Sequence, residues 1–143
     1  MKKITVLLIT LFAISFIGCK QYIELKGVEK DNLKKTAAPI AENIMIAINE
    51  GDYEKYSKDF DATMKTQLPE KVFKQNQKII DNKIGKYKSM KFIKALKKDQ
   101  YKIALYEAVF SKEKNVKVKV VLQKIGEDNK VSGLWFDSKK LRK

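Results

Sequence analysis

The sequence predicts an α+β domain in which three N-terminal helices pack on a strongly bent, four-stranded antiparallel sheet. Two observations carry this. Between Thr36 and Gly85 apolar residues recur at helical spacing, whereas from Lys86 onward long runs appear with strand alternation. Those later runs are joined by connections of hairpin length, which is the signature of a meander and not of crossover units.

Thr36 followed by Pro39 reads as a helix start, since proline suits the first helical turn. Ile40, Ile44, Ala47 and Ile48 then form one buried stripe, and Asn49-Glu50-Gly51 ends it. Asp52 is placed to cap a second, short helix with Tyr53 and Tyr56 on one face. Phe60-Asp61 is a break, with Asp61 capping a turn through Met64. Pro69 is expected to open the third helix, with Val72, Phe73, Ile79 and Ile80 inside. Asn76 interrupts that stripe and is expected at its edge or hydrogen-bonded. Gly85 falls where a left-handed residue is needed after the helix.

The strands are expected over Tyr87–Lys97, Tyr101–Lys112, Val116–Ile125 and Lys130–Asp137. Val116, Val118, Val120 and Leu122 alternate with Lys117 and Lys119, giving one dry and one wet face. Lys98-Asp99-Gln100, Glu113-Lys114-Asn115 and Gly126 to Asn129 supply the turns. Trp135 and Phe136 are neighbours on the last strand and must point to opposite faces.

The N-terminus is of another kind. Lys2 and Lys3 precede an apolar run from Ile4 to Ile17, closed by Gly18-Cys19. The run is about 14 residues, short of the roughly 20 a helix needs to cross a bilayer. A positive start, a short apolar stretch and a small residue before the cut describe a secretory signal. With the cysteine in place it resembles a bacterial lipoprotein signal. That resemblance implies cleavage between Gly18 and Cys19 and acylation of Cys19 as the first mature residue. The expected organisation is a signal peptide over 1–18, a lipidated tether over 19–35 and a single domain over 36–143. The expected location is the extracytoplasmic side of the cell membrane.

Composition narrows the chemistry. Cys19 is the sole cysteine, so no disulfide is available, and histidine is absent. The commonest metal ligand and the commonest general base are therefore missing. The chain holds 31 basic and 17 acidic residues, but Arg142 is its only arginine. Bidentate phosphate and guanine contacts favour arginine, so nucleic acid is not an expected partner. The lysine excess looks instead like the bias of an AT-rich genome. It still gives a positive field worth about 1 kcal/mol per lysine near anionic headgroups. No Gly-rich phosphate loop, Gly-x-Ser-x-Gly elbow or metal-spaced cluster occurs, so no metal, cofactor or assembled catalytic set is expected.

The element order resembles the nuclear transport factor two-like superfamily, cones of bent sheet closed by helices. Within it the chain resembles a family of uncharacterised domains found in bacterial and archaeal lipoproteins. The residues that carry this are Ala47-Ile48-Asn49-Glu50-Gly51-Asp52-Tyr53, Phe60-Asp61-Ala62-Thr63-Met64 and Ile84-Gly85-Lys86-Tyr87. Tyr106 with Phe110, and Val131-Ser132-Gly133-Leu134-Trp135-Phe136, complete a likeness over Thr36 to Asp137. The resemblance implies a pocket mouth between sheet and helices, near which Asp59, Asp61, Tyr87, Tyr106 and Asp137 could fall. An isomerase-type relative would place an aspartate base and tyrosine donors there. From the residues alone Asp61 reads as a helix cap. Tyr106 and Phe110, alternating with Ala104 and Ala108, read as core or pocket wall. Of Trp135 and Phe136 one is expected in the core and the other as a pocket wall, a contact surface or sheet-to-helix packing, which makes Trp135 a candidate pocket or contact residue.

The expected function is a non-catalytic, membrane-anchored module. Its partners would be membrane lipid through Cys19 and either a small apolar ligand or an envelope protein. A homodimerising structural module is the main alternative, and an Asp/Tyr enzyme acting on a small hydrophobic molecule the lesser one.

Overall fold

A computed structural model describes residues 21–143. The signal segment, Gly18 and Cys19 lie outside the described residues. The elements run β1 (Ile23–Glu24), α1 (Gly27–Glu50), α2 (Tyr53–Ser57), α3 (Ala62–Gln67), α4 (Glu70–Lys83), β2 (Tyr87–Lys98), β3 (Tyr101–Phe110), β4 (Val116–Ile125) and β5 (Asp128–Asp137). The α+β class is as expected, but the count differs: five strands and four helices replace four and three. The extra strand, β1, adds only Ile23↔Lys97 and Glu24↔Leu96 to the edge of β2. The extra helix, α3, is the Asp61-capped turn extended to Gln67.

The stretch expected as tether is largely structured, because α1 starts at Gly27 rather than Thr36. Leu33 and Ala37 are buried and carry the stripe of Ala41, Ile44 and Ile48 back by two turns. Lys34, Lys35 and Thr36 stand between them, which hides the stripe in sequence. Pro39 sits inside the helix and not at its start. Its missing N–H leaves one helical carbonyl without a donor, a penalty of about 3 kcal/mol for a helix standing alone. Here packing against the sheet carries the helix through.

The sheet is an antiparallel meander in chain order, β1-β2-β3-β4-β5. Register shifts fall at Tyr87/Ser89 and Phe92/Lys94 on β2 and at Val121/Leu122 between β4 and β5. Bulges of this kind bend a strand and increase its twist. One face carries Ala104, Tyr106, Ala108, Phe110, Val116, Val118, Val120 and Leu122, all buried in one cluster with α1. The alanines of β3 and of α1 (Ala37, Ala41, Ala47) let helix and sheet approach closely, and the aromatics fill the ends.

Asn49 ties the end of α1 to the start of β2. Its side-chain amide donates to the Tyr87 carbonyl and its oxygen accepts from the Tyr87 N–H, both at 2.9 Å. The stripe of α4 is Phe73, Gln77 and Ile80, with Val72 half-buried. Ile79 is 48% exposed and lies outside it, contrary to expectation. Gln77 takes the inner position because its amide donates to the Ile48 carbonyl at 2.7 Å, in the last turn of α1, where that oxygen otherwise accepts only a long bond of 3.3 Å from the Gly51 N–H. Asn76 is exposed at the edge.

Candidate functional site

Except for Tyr106, the acids and hydroxyls singled out in sequence are taken up by separate partners. Asp61 is the N-cap of α3: Oδ1 accepts from the Met64 N–H at 2.8 Å. Its Oδ2 accepts from Ser132 Oγ at 2.7 Å and Gln123 Nε2 at 3.1 Å. Burial pushes its pKa up, but these bonds and one from the Thr63 N–H outweigh it and hold the carboxyl below the usual range. Tyr87 donates to Glu42 Oε2 at 2.6 Å and packs edge-on against buried Phe110, centroids 6.0 Å apart. Burial, with Glu42 beside it, pushes the Tyr87 hydroxyl well above its ordinary pKa. Asp59 holds Val131 through its backbone carbonyl, and Asp137 pairs with Arg142 at 2.9 Å. Of the residues named for the mouth, Tyr106 and Asp137 line one groove, the one beside Trp135, while Asp59, Asp61 and Tyr87 are not part of it.

Tyr106 is 3% exposed, and among the described residues its hydroxyl is the one buried side-chain polar atom without a hydrogen-bond partner. Burial pushes that hydroxyl up to about 12. Its ring packs edge-on against Phe92 at 5.7 Å. A buried unpaired hydroxyl costs about 1–3 kcal/mol. Tyr106→Phe is therefore expected to leave stability unchanged or raise it by about 1 kcal/mol in urea unfolding. A clear loss would reveal a partner for the oxygen.

The helix side of the fold holds a cleft of about 200 Å³ between α1, α4 and β5, with Ile48, Phe73, Leu134 and Phe136 in its walls. The larger hollows lie on the opposite face of the sheet. There the registers build three rows. Leu96, Ile103, Val121 and Gly133 make the first; Lys94, Leu105, Lys119 and Trp135 the second; Lys91, Glu107, Lys117 and Asp137 the third. Ile103 and Val121 are buried yet do not belong to the main core. Trp135 is 52% exposed and Ile93, at the β2 bulge, 42%.

The Trp135 ring lies down over its strand. A Cβ on Gly133, two residues back on the same face, would sit 2.3 Å from the ring, so only glycine leaves room. Lys119 Nζ stands 4.4 Å from the ring centroid, a contact worth about 0.5–1 kcal/mol when exposed. Beside it opens a groove of about 490 Å³ walled by Ile93, Leu105, Trp135 and the stems of Lys94, Lys117 and Lys119. A second hollow of about 320 Å³ shares Lys119 and Trp135 and reaches Tyr22 and Lys98 at the β1 edge. Lys117 pairs with Glu107, and its hydrogen bond holds the Glu107 carboxyl below its ordinary range.

Sequence reading found Trp135 but missed the partners that shape these sites: Glu42, Gln123 and Ser132 for the polar residues, Gly133 for the tryptophan. Gly133 was legible, since a glycine two places before an aromatic residue on one strand leaves the ring a floor to lie on. Among the described residues no group of three or more acidic residues, histidines or cysteines could hold a metal, and no helix is long and apolar enough to cross a membrane.

These features define a class: an α+β domain with one sheet face packed under helices and the other open, apolar at its centre and lysine-rich at its rim. The chain belongs to a family described as proteins of unknown function, DUF3887, whose model matches residues 41–134. The match takes in the second half of α1 from Ala41, the three shorter helices and nearly all of the sheet, and stops one residue before Trp135. A search of curated proteins found no match.

Proposed function

We propose that the chain is an extracytoplasmic lipoprotein, anchored through acylated Cys19 after removal of residues 1–18, that carries a non-catalytic binding domain of the nuclear transport factor two-like type. The lipoprotein reading rests on the Lys2-Lys3, apolar run and Gly18-Cys19 order. The superfamily reading draws support from helices covering one face of a bulged antiparallel meander. The observation that carries the binding role is the groove of about 490 Å³ beside Trp135, on the face that no helix covers. An apolar floor with a cationic rim suits an apolar or amphipathic partner bearing negative charge.

The homodimer reading draws on the exposure of Trp135 and Ile93 on the same face. An enzyme of the Asp/Tyr type needs a carboxyl held neutral in a pocket with a tyrosine in reach. Asp61 is shifted the other way and bonds to Ser132 and Gln123.

Two measurements test the proposal. Cys19→Ser is expected to leave the leader uncut and the mass without acyl groups; a membrane-retained product of unchanged mass would refute the anchor. Lipid or wall fragments are expected to raise the melting temperature of the wild type and not of Trp135→Ala. No shift with any fragment would refute the binding role.

A further inference from the structure

We infer that the outer face of the sheet rests on the anionic leaflet to which the chain is anchored, with Trp135 in the headgroup layer. The inference rests on acylation of Cys19 and adds what covers the face. Its first support is position. Tyr22 shares a hollow with Trp135 and Ser132, and Lys98 Nζ stands 5.0 Å from the Tyr22 ring centroid. Two residues, Lys20 and Gln21, lie between Cys19 and Tyr22, so their Cα atoms are at most about 11 Å apart. Because the fold begins at Ile23 and not near Thr36, the leash is a few residues long. The acyl chains therefore enter the bilayer beside this face.

The second support is chemistry. Tryptophan is favoured at the membrane–water boundary, where its ring is half apolar and half wet. Trp135 lies flat over Gly133 and Ile93 stands exposed across the groove, so apolar surface is offered along the plane of the sheet. Long lysine stems at the rim can cover that surface while their ammonium groups meet phosphates. Lys91, Lys94, Lys98, Lys117, Lys119 and Arg142 stand there against Glu24, Asp99, Glu107 and Asp137, six cations to four carboxylates. The excess of two is modest, about fivefold each near an anionic leaflet. It suffices because the anchor already makes the contact intramolecular.

The same charges select against a second copy. A face-to-face dimer is self-complementary, bringing each patch onto its own image. Apolar centre would meet apolar centre, but two faces that each carry an excess of two positive charges would be pressed together. An anionic surface meets both features.

Trp135 is the only tryptophan, so it reports on this face directly. The acylated protein, extracted from membranes, is reconstituted in phosphatidylcholine vesicles with or without phosphatidylglycerol. With phosphatidylglycerol, Trp135 emission is expected to shift to the blue and acrylamide quenching to fall severalfold, both reverting in high salt. The anchored double variant Lys91→Glu/Lys117→Glu, which turns the excess of two into a deficit of two, is expected to lose this protection while melting as a folded domain. Equal quenching in the two vesicle types overturns the inference using wild-type protein alone. Protection that follows protein density and ignores lipid charge also overturns it, assigning the face to a second copy. A chain found without acyl groups refutes the anchor instead, a separate failure seen by mass.

Discussion

Gly85→Ala is expected to lower the unfolding free energy by about 3 kcal/mol. Gly85 has φ +83°, the left-handed region, where a Cβ costs about 1–2 kcal/mol. The new methyl would also sit 1.9 Å from Ser111 Oγ. That oxygen cannot move freely, because it accepts from the Lys86 N–H at 2.9 Å, within a corner closed by Ser111 N–H to Lys86 O at 2.8 Å and Lys112 N–H to Ile84 O at 2.9 Å. The corner joins the end of α4 to the start of β2 and the end of β3, so strain there loosens helix and sheet together. In a domain of this size the melting temperature should fall by about 10 °C. A loss under about 1 kcal/mol would mean that the turn relaxes without cost. Repeating the change in a Ser111→Ala background should recover part of the loss, which isolates the overlap from the backbone term.

Asp61→Ala is expected to cost about 2–3 kcal/mol. Roughly 1 kcal/mol is the lost cap of α3, and the remainder is the half-buried Ser132 hydroxyl and Gln123 amide left without their acceptor. The pH dependence follows from the direction of the shift. The folded carboxyl has a lower pKa than its unfolded counterpart, ordinarily about 3.9. The unfolded chain then binds the proton more readily, so the stabilisation is present above the ordinary aspartate range and drains away as pH falls through the lowered value. Asp61→Asn keeps an acceptor for the Met64 N–H but cannot titrate. Its unfolding free energy should decline less steeply than the wild type's below about pH 4. Parallel declines would remove Asp61 as the source.

Much of the fold was legible because its signals are local. Asp52 and Asp61 do cap helices, Gly51 and Gly85 do end them, and the Val116 to Leu122 alternation does separate a packed face from a wet one. What escaped depends on distant partners. Leu33 and Ala37 extend α1 only because a sheet lies beneath them. β1 has two residues and no pattern of its own. Gln77 displaces Ile79 from the inner stripe because a carbonyl at the end of α1 is within reach. The site divides in the same way. Alternation fixes that Trp135 and Phe136 oppose each other, but only the position of the helices decides that Phe136 packs and Trp135 is open. The cap role of Asp61 was legible, but its other partners Gln123 and Ser132, and Glu42 for Tyr87, lie between 45 and 71 residues away and only the fold brings them into contact.

The chain-order meander leaves β2 as a border strand, since β1 covers only Leu96 and Lys97 of its twelve residues. Between Tyr87, which Asn49 caps, and Ala95, whose carbonyl accepts from the Leu25 N–H, the border of β2 could template another strand, the route by which domains crowded on a surface fuse into ribbons. Two bulges and the charges of Lys88, Lys91 and Lys94 interrupt that template. Lysines that look like mere composition thus keep neighbouring molecules apart. Exchanging them for valine or threonine would be felt first as insolubility, before any loss of the fold.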